Sequence, residues 1–183
     1  MLVNRIIGAF TFRRGVYAEV EHDATFTTTA WILVIVVSFL NQLGAFATSD
    51  LGAWLRNTVG GTIAVVIAFA LASFVVQWVG RALFNAEVTH GEMIRTLGLA
   101  YVWQIVGVFG ALAAFAPTLP WLATLALVVA LIMGLIAWLV ATKEALDLPW
   151  LQTIVTVILG FVVLVGIIFV VQAVLVGALV LVA

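Results

Sequence analysis

Four long stretches of this chain carry no charged side chain. Positions 24–49, 57–80, 96–142 and 148–183 contain no Asp, Glu, Lys or Arg. A helix needs roughly 20 apolar residues to cross the ~30 Å hydrocarbon core of a bilayer, so each stretch can hold at least one crossing. Composition points the same way. Hydrophobic residues make up 66% of the chain and charged ones 8%, whereas a soluble domain carries about 25% charged residues to cover its surface. Apolar runs such as Ile63–Phe69 and Val162–Val171 are continuous, unlike the alternating segments of a membrane barrel. The expected fold is all-α: a polytopic transmembrane helical bundle of about five spans, with a short interfacial helix at its N-terminus.

The first two stretches each fit one helix, predicted at 26–47 and 60–80. The third fits two, because Pro117 and Pro120 remove backbone donors and disfavour helix in the residue before them. Those spans are predicted at 97–116 and 121–141. The last, predicted at 151–178, has no internal turn signal and should tilt or protrude. Residues 25–183 thus form a transmembrane domain, and residues 1–24 a separate cytoplasmic or interfacial segment. In that segment Val3, Ile6, Ile7 and Phe10 share one helical face. After Gly15, Val16, Tyr17 and Val20 make a second short stripe. One or two helices lying flat at the headgroups fit this pattern; a plain connector is the alternative. No signal peptide is recognisable, so the first span is expected to act as its own insertion signal.

Lys and Arg orient the chain. Arg5, Arg13, Arg14, Arg81, Arg95 and Lys143 fall on one side of the predicted bundle, and Arg56 alone on the other. By the positive-inside rule the N-terminus is cytoplasmic and the C-terminus outside. Arg5, Arg13, Arg14, Tyr17, Arg81 and Arg95 are the residues expected to meet lipid headgroups or a partner. Gly60, Ala64, Ala68 and Ala72 repeat every four residues, a small-residue ladder expected to let another helix approach. The larger Val66 and Phe69 would then face lipid or looser contacts. Shorter ladders stand at Ala126, Ala130 and Gly134, and at Gly107 with Ala111.

Most chemistry is disfavoured. There is no Cys, hence no disulfide, thiolate metal site or Cys nucleophile. No ionisable side chain lies mid-span, where a pump or proton relay usually has one. The amides Gln77 and Gln104 are expected to hydrogen-bond between helices. Glu19-Val20-Glu21-His22 and Glu87-Val88-Thr89-His90 both contain Glu-x-x-His, the unit of di-metal carboxylate bundles. Here the pairs fall in loops and surface segments, and a solvated charged loop is the simpler reading. No hydrolase or nucleotide motif is present. No catalytic residue, metal ligand or cofactor is expected, and a net charge of -1 gives no basic field for nucleic acid.

Three segments together are similar to a known family. They are Arg5-Ile6-Ile7-Gly8-Ala9-Phe10 with Val16-Tyr17-Ala18-Glu19-Val20-Glu21; Thr89-His90-Gly91-Glu92-Met93-Ile94-Arg95-Thr96-Leu97-Gly98-Leu99-Ala100-Tyr101; and Ile136-Ala137-Trp138 with Thr142-Lys143-Glu144-Ala145-Leu146. The chain resembles the Ypt/Rab-interacting protein (Yip) family of five-span membrane proteins, in its shorter prokaryotic form. The resemblance implies five spans, a cytoplasmic N-terminus, residence in a prokaryotic plasma membrane, and membrane organisation or partner binding without enzyme activity. Eukaryotic relatives are linked to vesicle traffic and prenylated small GTPases. This chain lacks their long cytosolic N-terminal region and its Asp-Leu-Tyr-Gly-Pro type motif, so GTPase binding is not carried over to any residue. The expected role is a non-enzymatic scaffold or accessory protein that meets membrane lipid and protein partners, or itself, within the membrane. The alternatives are a small-solute transporter or channel, and a metal-binding protein built on the two Glu-x-x-His pairs.

The orientation is testable because the chain has no native Cys. An impermeant thiol reagent applied to intact cells should label Ser49→Cys and spare Asn85→Cys. The reverse pattern would overturn the orientation.

Overall fold

The structure, a computed structural model, describes residues 2–112, 120–164 and 166. Every regular element among them is helical: α1 (Leu2–Phe10), α2 (Val16–Glu21), α3 (Phe26–Ala45), α4 (Leu51–Phe84), α5 (His90–Ala100), a 3₁₀ helix η1 (Tyr101–Ala111) that continues α5, α6 (Pro120–Leu146) and α7 (Trp150–Leu164). Four helical stretches, Phe26–Ala45, Leu51–Phe84, His90–Ala111 and Trp121–Leu146, are long and apolar enough to cross a membrane. The chain is an all-α membrane-type bundle. The Pro117–Pro120 turn, apart from Pro120 itself, and the predicted last span beyond Gly166 lie outside the described residues.

Two helices start earlier than the charges suggested. The helix predicted at 60–80 runs over 34 residues, about 51 Å at 1.5 Å per residue. Asp50 caps it by accepting from the Ala53 N–H at 3.1 Å, and Asn85 ends it in the left-handed region at φ 53°. A charge limits what lipid will cover, but it does not stop a helix. The third span begins at His90 rather than 97, because Thr89 and Glu92 form a reciprocal capping box. Arg95, expected in a loop, therefore sits inside a helix.

That third span is the centre of the molecule. Met93 through Ala100 are buried without interruption, enclosed by α2, α3, α4 and α6. It is also the least apolar crossing. Its mean hydropathy is 1.3 with 61% of an 18-residue stretch buried, against 1.6 to 2.7 and 28% for the other three. Lipid-facing positions must be apolar, whereas positions facing protein may be small or polar provided their hydrogen bonds are made. The outward faces of α3, α4 and α6 carry large exposed apolar residues such as Ile35, Ile67 and Leu131, as a lipid-covered surface requires.

The small residues pack differently from the expectation. Gly60, Ala64 and Ala68 are exposed and Ala72 is half-buried; a side chain added at Gly60 would meet nothing within 4 Å. The buried seam of α4 is Thr58, Thr62, Phe69, Ser73, Val76 and Gly80. Phe69, expected to face lipid, stands edge-on to Trp31 and Tyr101, with ring centroids 5.7 Å away in each case. A repeat of four advances about 40° round the helix at each step, so a four-membered ladder drifts off a straight seam. The close approach lies instead between α3 and the third span. A side chain at Gly98 would come within 2.8 Å of Ala30 Cβ, and one at Gly110 within 2.7 Å of the Gly44 carbonyl oxygen. One at Gly44 would collide with the Gly107 carbonyl. Sequence spacing pairs Gly107 with Ala111, but a 3₁₀ helix aligns residues three apart, so Gly107 and Gly110 share the face against α3. The Ala126, Ala130 and Gly134 ladder of α6 is buried, with Gly134 against the Gln104 side chain.

Gly44→Ala should therefore lower stability by about 1–3 kcal/mol, the usual range for overpacking. Gly60→Ala should be neutral or slightly stabilising. Chemical denaturation of both variants in one detergent checks this, and equal effects would place the helix contact elsewhere.

Candidate functional site: the charged end of the bundle

The chain concentrates its charges where α1, α2, the α4–α5 link and the α6–α7 link meet. α1 lies against the bundle by one face. Ala9 is fully buried, and Ile6 and Phe10 pack on the core, while Val3 and Ile7 point outward at 64% and 55% exposure. The predicted stripe is thus split between protein and surroundings. Trp103 holds the segment: its indole N–H donates to the Ala9 carbonyl at 3.3 Å, and its ring meets Phe10 and Phe12 at 5.0 and 5.7 Å. Gly15, at φ 76°, supplies the left-handed turn that sends the chain into α2, a conformation that L side chains rarely adopt.

α2 is a six-residue helix, too short to stand alone. Val16, Tyr17 and Val20 are buried. Its C-terminal carbonyls are taken by Arg95. Nε donates to the Val20 oxygen at 3.1 Å and to the Glu21 oxygen at 2.9 Å. Nη2 also donates to the Glu21 oxygen, and Nη1 reaches Thr27 Oγ1 at 3.2 Å. A guanidinium at a helix C-terminus satisfies carbonyls that the helix cannot, and it sits at the negative end of the dipole. Arg95 is 8% exposed and Tyr17 only 2%. Neither meets lipid headgroups or a partner directly; both are internal, because the helix that begins at His90 carries Arg95 beneath α2. Burial pushes the Tyr17 phenol well above its ordinary value.

The other predicted contact residues divide. Arg5 is half-buried, donating to Asp23 at 2.7 Å and lying over the Phe26 ring at 5.1 Å. Hydrogen bonds from Thr25 and Arg5 hold the Asp23 carboxyl below its usual value. Its stabilising effect is thus complete above the ordinary carboxylate pKa and fades as pH falls through the lowered one. Arg13 pairs with Glu19 at 2.9 Å in an exposed contact, which contributes little. Arg14 and Arg81 are exposed.

The Glu-x-x-His pairs go separate ways. The His22 ring lies 3.0 Å from the Ala18 carbonyl, and His90 stands edge-on to Phe74 at 6.1 Å. Among the described residues no group of three or more His, Cys, Asp or Glu is placed to hold a metal ion. Burial raises the Glu21 carboxyl, against the pull of His22 and with the push of Asp147, Glu92 and Glu144. Deeper in, Asn41 Nδ2 donates to the Gln104 carbonyl at 2.8 Å, and Gln104 Nε2 donates to the Ala130 carbonyl at 3.3 Å. This relay joins α3, η1 and α6. Gln77 Nε2 donates to the Val88 carbonyl at 3.0 Å. Gln77 and Gln104 line separate cavities: that of Gln104, about 250 Å³, is walled by apolar side chains of α4, η1, α6 and α7, and that of Gln77 lies at the charged end.

Arg95 and Tyr17 lie furthest from where the sequence puts them, and the Trp103 contact with α1 is one the sequence does not announce. The signal for Arg95 is Thr89-His90-Gly91-Glu92, which has the Thr-x-x-Glu form of a capping box and starts the helix early. Compared with protein-family models, curated proteins and solved structures, the chain matches none.

Arg95→Gln should lower stability by about 1.5–3 kcal/mol, the contribution of hydrogen bonds to a charged group. Arg95→Lys should recover only part, since an ammonium cannot fork across two carbonyls. Denaturation in detergent measures both, and an unchanged Arg95→Gln would mean that α2 is held by apolar packing alone.

Proposed function

We propose that this chain is a non-enzymatic integral membrane scaffold or accessory protein. Its working face is the charged end of the bundle, presented to the cytoplasm of a prokaryotic cell. The observation that carries the reading is the way this end is built. A short helix that could not fold alone is pinned by a buried arginine, and α1 is locked on by Trp103. Such a cap is a fixed surface with exposed charges, suited to docking a partner rather than to opening. The interior supports the same reading. The amides of Asn41 and Gln104 are spent on one another and on backbone carbonyls, which ties three helices together rather than leaving those amides to a solute. The orientation follows from the Lys and Arg bias. The Yip resemblance accords with it, as a proposal of family and role without a GTPase partner.

Photo-crosslinking in native membranes tests the reading. Crosslinkers placed at Arg14, Glu87 and Glu144 should each capture the same discrete protein or a second copy of this chain, and one at Ser49 should not. Capture only from Ser49 would overturn the working face. Specific passage of a small solute by the purified protein in liposomes would overturn the scaffold role in favour of transport.

A further inference from the structure

The outward face of α4 changes character along its length. Ile67, Leu71, Phe74 and Trp78 are exposed, at 42% to 56%, and Arg81 is exposed at the charged end of the same stripe. Their spacing of four, three, four and three keeps them on one side of the helix. Measured along the axis, Arg81 stands about 4.5 Å beyond Trp78 and about 10.5 Å beyond Phe74. The start of α5 closes this side into a groove of about 680 Å³, lined by Phe74, Gln77, Trp78, Arg81, Thr89 and His90. Arg81 makes no ion pair among the described residues, unlike Arg5, Arg13 and Arg95. Gln77 is 7% exposed, and its amide nitrogen is committed to the Val88 carbonyl, so the groove wall is fixed rather than loose.

From this geometry we infer that the groove binds one anionic phospholipid. The phosphate sits on Arg81 with His90 beside it, the glycerol region lies against the Trp78 ring, and an acyl chain runs down Phe74, Leu71 and Ile67. Three properties select that occupant. The cation is single and unpaired, which matches a phosphate diester. The aromatic ring stands at the boundary between charge and apolar surface, where indoles favour the bilayer interface. Below it the stripe is wholly apolar, which a free phosphate or a soluble nucleotide would not use. Glu87 and Glu92 line a neighbouring groove that shares Arg81 and Thr89 with this one, and their charge disfavours an anion there, leaving the Trp78 side as the place for the phosphate. The inference needs only that the bundle sits in a bilayer, and it stands apart from the scaffold reading.

The test uses the full chain in nanodiscs of mixed phosphatidylglycerol and phosphatidylcholine, released into detergent and read by native mass spectrometry. The wild type should retain one phosphatidylglycerol in preference to phosphatidylcholine. Arg81→Gln should weaken that retention about fivefold, the effect of one basic side chain at an anionic surface. Arg81→Lys should keep most of it, and Arg56→Gln, near the other end of α4, should leave it unchanged. Brominated phosphatidylglycerol should quench the fluorescence that Trp78→Phe removes. Equal retention by the wild type and Arg81→Gln would overturn the site, as would an equal loss in Arg56→Gln or equal retention of the two lipids. Displacement of the lipid by millimolar inorganic phosphate would overturn the choice of occupant. Unchanged melting temperatures for the two arginine variants separate loss of the site from loss of the fold.

Discussion

Lipid offers no hydrogen bonds, so every polar group placed at membrane depth must be answered from within the protein. The rest of this structure follows from that constraint. The span with the lowest hydropathy cannot face lipid, and it becomes the axis around which the apolar helices gather. Its polar and small residues then find partners there. Thr96 donates back to the Glu92 carbonyl, Gln104 connects α3 to α6, and Arg95 satisfies the end of α2. The outer helices turn polar residues inward as well, Ser38 on α3, Thr62, Ser73 and Gln77 on α4 and Thr142 on α6, and keep large apolar residues on the faces that answer to lipid.

The same logic explains how closely α3 approaches its neighbour. Lipid tails are as apolar as the side chains they would replace, so burial alone does little to join helices in a bilayer. Dense contact must do more, and it requires small residues at the crossing. The 3₁₀ turn from Tyr101 onward brings Gly107 and Gly110 into line. Its rise of about 2.0 Å per residue also stretches eleven residues to about 22 Å. The stretched helix, the paired glycines and the Asn41 amide that covers Gly107 act together.

At the charged end the cap and the bundle are mutually dependent. α2 supplies carbonyls that accept hydrogen bonds from a buried guanidinium, and the guanidinium holds a helix too short to persist alone. Breaking such an arrangement from either side leaves an unsatisfied buried group. A rigid cap is therefore the natural state, with the exposed charges of Arg14, Arg81 and Glu87 standing on it rather than forming it.

Much of the architecture was legible in the chain. The uncharged stretches located four of the crossings, because a helix in lipid needs about 20 apolar residues whatever its neighbours are. The stripe of Val3, Ile6, Ile7 and Phe10 announces a short helix, but only Ile6 and Phe10 of it pack on the core; Gln77 and Gln104 are legible as internal hydrogen-bonding groups. The ladder at Gly60, Ala64, Ala68 and Ala72 misled, since small size permits close contact without requiring it, and α4 turned Thr58, Thr62, Phe69 and Ser73 inward instead. Arg95 and Tyr17 looked like surface residues because a charged or phenolic side chain near a span boundary can sit at the headgroups or in the core with equal local propensity. Which of these happens depends on whether another segment folds over it. Sequence by itself determined where the chain can be in lipid, since that rests on transfer energy summed along one helix. Only the tertiary structure decided which face of each helix meets protein, since that rests on carbonyls and small residues brought together from distant parts of the chain.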